Sequence, residues 1–342
     1  MNQTYLQFSP SIKQSAINPS SGIYKQGLIQ RDFIQRHLQP NGHRHLDIGC
    51  GEGIFLSIMN QTGFESYGVE PSPVQAQLAQ TRTPFPVEVG FYEDDSIQFA
   101  EPFHVISLRH VLEHVLSPIQ ILEKIHQDLS TEGYIYIEVP DSMHPRVMIP
   151  PFFVPEHISY FTIWSLEHLL LRAGFQIACW DSFAENPHGS MNYPVLRVLA
   201  QKQGAALASA SIPPAANVSL ETHFEQYFEQ RSRLVHNVEF QLRDHHFNRG
   251  FWVFGAGYHS EILFDELPAW FKKVVGFLDN NPTKHHSYFY ELPIHPPSIL
   301  EDHPVTRVLI SSISENEILS GLQAYPFYAN LDILGIYHGI DA

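Results

Sequence analysis

Cysteine is nearly absent from this chain: Cys50 and Cys179 are the only two among 342 residues. That excludes a disulfide framework and a four-cysteine zinc site, and it suits a reducing, cytoplasmic setting. Positive charge is scarce too, with 20 Lys and Arg against 36 Asp and Glu, a formal charge of −16. Surfaces that track nucleic acid backbone are basic, so neither DNA nor RNA is an expected partner. No apolar run of about 18 residues occurs, which leaves no candidate membrane span, and no signal peptide is read. What is present is ample apolar material, 44% hydrophobic and 13% aromatic, enough for the two domains that such a length suggests. The 21 histidines are scattered.

The most informative stretch is His45-Leu-Asp-Ile-Gly-Cys-Gly-Glu-Gly-Ile-Phe-Leu56. It reads as a buried strand, a glycine turn and a helix start. Gly49, Gly51 and Gly53 strip the turn of side chains, so a ligand can lie against the main chain. Such a turn alone is a weak signal, shared with dinucleotide-binding domains. The next strand, Phe64-Glu-Ser-Tyr-Gly-Val-Glu70, ends in an acid 21 positions beyond Gly49, where a βαβ unit brings its second strand tip beside the first turn. Glu70 can there accept both hydroxyls of a ribose. Asp47 and Glu52 crowd the turn with carboxylates, which repel a pyrophosphate and suit an ammonium or sulfonium ligand. S-adenosylmethionine is therefore favoured over NAD.

Three signatures in order, Asp47-Ile-Gly-Cys-Gly-Glu-Gly53, Gly68-Val-Glu70-Pro-Ser, and Phe103-His-Val-Ile-Ser-Leu-Arg-His-Val-Leu-Glu-His114, resemble a class I S-adenosylmethionine-dependent methyltransferase. On that reading Gly49, Gly51 and Gly53 approach the methionine portion and ribose, Asp47 orients a water or the ammonium, and Glu70 holds the ribose. Phe91 and Tyr92 lie along the adenine, and Arg109 and His110 border the methionine end. His110-Val-Leu-Glu-His114 also matches an H-x-x-E-H zinc pattern. No third ligand is suggested nearby, so no metal is expected and His114 is read as structural.

Along the chain, residues 1–22 read as an irregular arm and Tyr24 to Leu38 as a helix with Ile29, Phe33, Ile34 and Leu38 on one face. Residues 1–40 thus form an arm and a lid helix, with Tyr24 over the cofactor. Residues 41–202 alternate strands (45–48, 65–70, 86–90, 103–108, 133–139) with helices (53–60, 72–81, 117–129), and end in a hairpin near 174–181 and 193–202. The expected fold is α/β, a Rossmann-like parallel sheet with a terminal antiparallel hairpin. Residues 203–218 have a linker's composition. Residues 219–342 open with a helix of roughly 25 residues. They then read as a second, smaller Rossmann-like domain: Trp252-Val-Phe-Gly-Ala-Gly-Tyr-His-Ser260, then Lys273-Val-Val-Gly-Phe-Leu-Asp279. Gly255, Gly257 and Asp279 are its candidate substrate-binding residues, for a nucleotide or the nucleotide part of a sugar donor. Ser260 stands where the fingerprint wants a third glycine.

Pro151-Phe-Phe-Val-Pro-Glu156-His157-Ile-Ser-Tyr160-Phe-Thr follows the fifth strand, at the sheet edge where α/β proteins bind ligands. A histidine there can take a proton from an acceptor. The segment resembles the Glu-His-x-x-Tyr-Phe stretch of bacterial nucleotide-sugar C-methyltransferases, over about residues 41–312. The family's N-terminal zinc module is not seen, and Val154 stands where those enzymes carry a tyrosine. The resemblance implies Glu156, His157 and Tyr160 as catalytic residues and a nucleotide-linked sugar as substrate, in the cleft between the domains. O- or N-methylation of another small metabolite, and a non-catalytic binding protein, stay open beside it.

Overall fold

The computed structural model describes residues 17–19, 21–38, 43–185, 193–203 and 220–337. Most of the N-terminal arm, nearly all of the expected linker and the first residue of the expected C-terminal helix, Ser219, lie outside them.

The first unit contains α1 (Gly22–His37), β1 (Arg44–Ile48), α2 (Ile54–Asn60), β2 (Glu65–Glu70), α3 (Pro73–Gln80), β3 (Val87–Val89) and β4 (Phe103–Arg109). It continues with α4 (Pro118–Asp128), β5 (Leu129–Pro140), α5 (Ile163–Arg172), β6 (Phe175–Glu185) and β7 (Tyr193–Lys202). The sheet order is β3-β2-β1-β4-β5-β7-β6. β1 to β5 run parallel, while β7 pairs antiparallel with β5 and β6. The order reverses at β1 and β4, which opens a crevice at their carboxyl ends, where such sheets take ligands.

Local chemistry sets the helix starts. Ser21 accepts a hydrogen bond from the Tyr24 amide at the start of α1, and Thr162 and Ser165 cap α5 reciprocally. Phe33, Ile34 and Leu38 bury the apolar face of α1 against Met59, Phe64, Tyr136 and Leu199. Gly27 sits where an added Cβ would meet Ile58 Cδ1 at 2.5 Å, so its missing side chain lets α1 lie close on α2. Leu46, Ile106, Ile135, Ile137 and Val198 fill the main core.

His45 is fully buried on β1, between Ser66 Oγ at 3.1 Å and Ser107 Oγ at 2.9 Å. Burial pushes it down to about 4, whereas an unfolded histidine titrates near 6.5. The depressed value means that stability held above pH 6.5 is lost as pH falls toward 4. Urea unfolding should show the first domain about 2.5 kcal/mol less stable at pH 4.5 than at pH 7 from this group. His45→Gln should flatten that dependence.

The second unit contains α6 (Leu220–Asp244), β8 (Phe251–Phe254), α7 (Tyr258–Glu266), α8 (Pro268–Phe271) and β9 (Val274–Leu278). β10 (Tyr288–Phe289), β11 (Leu292–His295), β12 (Arg307–Ile310), α9 (Glu315–Gln323) and β13 (Asp332–Gly335) complete it. Its sheet, in the order β10-β11-β9-β8-β12-β13, is parallel except for the β10–β11 hairpin, which sequence patterning did not anticipate. A division at 203–218 would leave Pro145–Val154 in the first domain, but this segment packs with the second. The Phe152 amide donates to Tyr227 Oη at 2.6 Å, and the Phe153 ring lies 5.1 Å from both Phe224 and Tyr227. Arg231 donates to the Ile149 carbonyl at 2.7 Å.

Candidate functional site

Three left-handed glycines shape the turn after β1: Gly49 at φ 69°, Gly51 at 54° and Gly53 at 77°. A side chain at Gly49 would strike Val111 Cγ2 at 2.5 Å, and one at Gly53 would strike the Ala79 Cα at 2.7 Å. Gly51 differs, since only the Gln75 Oε1 atom lies within 4 Å of its missing Cβ. Gly51 thus keeps space open, while Gly49 and Gly53 allow close packing. Gly53→Ala should cost about 1–3 kcal/mol of stability, read by thermal unfolding, because helix α3 must move and φ is strained.

Glu70 at the tip of β2 is 7% exposed. Its Oε2 accepts the Gly51 amide and its Oε1 the Ser72 amide, both at 2.9 Å. Burial raises its pKa, against the two amides that favour the charge. A cavity of about 320 Å³ opens over this turn, lined by Ile23, Gly27, Gly49, Cys50, Gly51, Glu52, Ile54, Phe55, Gln75 and Arg109.

Asp47 does not offer itself to a ligand as expected. It is fully buried, accepts Ser107 Oγ at 2.6 Å, and pairs with Arg109 Nη2 at 2.9 Å. Arg109 in turn lies over the Phe55 ring at 4.2 Å and lines the cavity. The cavity thus meets the Arg109 guanidinium rather than the Asp47 carboxylate, with Glu52 also on its lining. Tyr24 is not among the lining residues; α1 reaches the cavity through Ile23 and Gly27. Tyr92 cannot lie along an adenine, since it is 1% exposed and donates to Asp128 at 2.6 Å, whereas Phe91 is 40% exposed. His110 lies outside the lining residues, with a left-handed φ of 53°. Its ring is held between Glu113 at 3.4 Å and Glu138 at 3.3 Å. Burial opposes its charge, but the two carboxylates outweigh it and push His110 up to about 10. Gln75 was not legible beforehand; its only signal is its place in the first turn of α3, beside Glu70.

S-adenosylmethionine fits this donor set. Glu70 suits a ribose diol, the space at Gly51 is one that a Cβ would fill, and Arg109 suits a carboxylate.

At the next edge of the sheet, His157 is half-buried, with ring centroids 4.9 Å from His114 and 5.9 Å from Tyr160. Burial lowers its pKa, and so do His114 and His110, against Glu113 and Glu156. Glu156 is exposed, and its carbonyl rather than its carboxylate meets His114 Nδ1, at 2.9 Å. Contrary to the sequence expectation, a third donor does lie near the H-x-x-E-H pattern. Glu113, His114 and His157 bring one donor atom each within 4.8 Å of one another. The pattern's first histidine, His110, is not of the set.

In the second unit, Gly255 has φ 111°, and a Cβ there would meet the Ser311 carbonyl oxygen at 2.6 Å. Gly257 is extended, with open space around it. Buried Ser260 donates to the Gly255 carbonyl at 2.5 Å, which gives the hydroxyl a use where a glycine was looked for. Asp279 is engaged within its own turn: it accepts the Ala256 amide at 3.3 Å, the Asn281 amide at 2.9 Å and Lys284 Nζ at 2.8 Å.

A family profile described as a methyltransferase domain matches residues 24–179. Ubiquinone biosynthesis O-methyltransferases are similar: that of Xanthomonas axonopodis pv. citri is 24% identical over 130 residues, 36% of this chain and 53% of the relative. That of Chromobacterium violaceum is 25% identical over 129 residues, 36% of this chain and 54% of the relative. The chain spans about half the length of the curated relatives it matches. Among solved structures, an S-adenosylmethionine-dependent methyltransferase of Listeria monocytogenes superposes with a TM-score of 0.42 at 20% identity, covering 53% of this chain and all of that one. An amino pentose methyltransferase of Micromonospora echinaspora, solved with S-adenosylmethionine bound, gives 0.39 at 14% identity, over 54% of this chain and 92% of that one. By that profile, residues 24–179 are similar to a methyltransferase domain.

Proposed function

We propose that this chain transfers a methyl group from S-adenosylmethionine to a small-molecule acceptor. The observation that carries this is Glu70, a buried carboxylate fixed by two amides at the edge of an open glycine turn. When bound, the cofactor supplies an electrophilic methyl on a sulfonium. Glu70 would hold its ribose and Arg109 would meet its carboxylate, with the exposed Phe91 available to the adenine. Proximity and alignment supply much of the rate. With no metal bound, His157 is the candidate for taking the acceptor's proton.

The acceptor class we favour is a nucleotide-linked sugar. The second α/β unit supports it, because Lys284 Nζ sits beside the Gly255–Gly257 turn, on Asp279 and the Ala256 carbonyl, and its side chain is 40% exposed. Such a cation suits a phosphate. The Glu-His-x-x-Tyr-Phe stretch points to a carbon acceptor. A second reading, transfer to oxygen on another metabolite, is favoured by the relatives named O-methyltransferases.

Isotope-labelled S-adenosylmethionine incubated with nucleotide sugars and phenols tests both. Label in a nucleotide sugar, with S-adenosylhomocysteine released, is expected, and NMR locates the methyl. Cofactor binding without turnover on any acceptor would instead indicate a binding protein. Gly51→Arg should abolish binding, since the new side chain enters the cavity.

A further inference from the structure

None of Glu113, His114 and His157 is among the residues that line the cavity over the glycine turn. Two loops build it. The amides of Ile158 and Ser159 donate to the Glu113 carbonyl at 2.8 and 3.1 Å, stitching the loop after β5 to the turn after β4. The His114 Nδ1–H donates to the Glu156 carbonyl at 2.9 Å. That bond fixes the tautomer and leaves a lone pair on His114 Nε2, the second-shell arrangement typical of metal-binding histidines.

Glu113 is 1% exposed, and among the described residues neither of its carboxylate oxygens, nor His157 Nδ1, has a hydrogen-bond partner. Its nearest cationic groups are looser ion pairs, His110 Nδ1 at 3.4 Å and His114 Nε2 at 3.9 Å. A buried carboxylate with no hydrogen bond to either oxygen is unusual and costly. A divalent cation would satisfy it together with both imidazoles.

We propose that Glu113, His114 and His157 bind a divalent cation, zinc before the others, as a three-ligand site with one position open. Two imidazole nitrogens and one carboxylate oxygen make a donor set that zinc takes readily. The donors lie within 4.8 Å of one another, and bonds of about 2.0–2.2 Å require them to close by on the order of 1 Å. The open position would take an acceptor oxygen and lower its pKa. Only this last consequence rests on the methyl-transfer reading: it favours that reading's second form, transfer to oxygen, with the hydroxyl proton leaving to solvent and His157 a ligand rather than a base.

The test is zinc titration of the metal-stripped full chain, followed by calorimetry and by metal analysis after dialysis. One zinc per chain is expected, with affinity at least about 10-fold weaker in His114→Ala and in His157→Ala. His168→Ala, an exposed histidine elsewhere, should leave it unchanged. Cobalt(II) should give the visible absorption of a four- or five-coordinate site, lost in the same two variants. Circular dichroism and S-adenosylmethionine binding establish that each variant is folded. Should His114→Ala prove unfolded, Glu113→Gln replaces it, keeping shape and removing the charge. Zinc binding that is absent, or equal in the wild type and the folded variants, would overturn the proposal. Either result with cofactor binding intact would leave the methyltransferase reading standing.

Discussion

Glu138→Ala is expected to lower the unfolding free energy of the first domain by about 3–5 kcal/mol. Glu138 is fully buried on β5, opposite Arg197 on β7, whose side chain is 2% exposed. Its Oε2 accepts Arg197 Nε at 2.7 Å and Tyr136 Oη at 2.9 Å. Its Oε1 accepts Gln30 Nε2 at 2.7 Å and Gln26 Nε2 at 3.1 Å, with His110 Nε2 at 3.3 Å. Removing the carboxylate takes the ion pair from the buried Arg197 guanidinium and one of two carboxylates from His110, which is why the loss exceeds that of an ordinary hydrogen bond. Glu138→Gln should cost less, and Glu138→Leu with Arg197→Met should recover most of the stability, the coupling being read from a double-mutant cycle in urea. Burial alone would raise the pKa of Glu138, but His110 and Arg197 hold it well below the usual carboxylate range. This stability is therefore present above about pH 4.5 and is lost as pH falls further. Gln26 and Gln30 belong to α1, so the same substitution should loosen that helix beside the cavity and weaken cofactor binding as well. Equal stability of Glu138→Ala and the wild type would show that this network is not a structural centre.

Glu70→Ala should weaken S-adenosylmethionine binding by on the order of 10- to 100-fold, the worth of charge-assisted hydrogen bonds to a diol. Glu70→Gln should fall between, because it keeps one acceptor and loses the charge. The substitution also frees the Gly51 and Ser72 amides, so part of the loss comes from a looser turn. Thermal unfolding separates the two parts: a turn effect lowers stability without cofactor, whereas a ligand effect appears only as lost stabilisation on adding it. S-adenosylhomocysteine should lose affinity by the same factor, since it carries the same ribose.

Patterns confined to neighbouring residues were readable from the chain. Gly49, Gly51, Gly53 and Glu70 announce a strand, turn and strand tip through glycine spacing and one acid at a βαβ distance. The alternation of strands with helices gives the parallel sheet, and the two late apolar runs give its antiparallel hairpin. Contacts that depend on register or on distant loops were not readable. Asp47 is exposed to a ligand in any reading of its own turn, yet Arg109, at the tip of β4, neutralises it. Tyr92 and Phe91 are adjacent and look alike in sequence, but one enters the core and the other faces outward. Glu138 and Arg197 meet only because β7 returns antiparallel along β5. His157 reaches Glu113 only because two amides of its loop bind the Glu113 carbonyl. Pro145–Val154 looks like a connection, and its anchoring aromatic partners lie on α6.

Calorimetric titration of the full chain with S-adenosylmethionine tests the central claim most directly. One-to-one binding that disappears in folded Gly51→Arg and weakens in Glu70→Ala is the expected result. A folded wild-type chain that binds no S-adenosylmethionine, or one whose affinity is indifferent to both substitutions, would contradict the assignment of the glycine turn and Glu70 as the cofactor site.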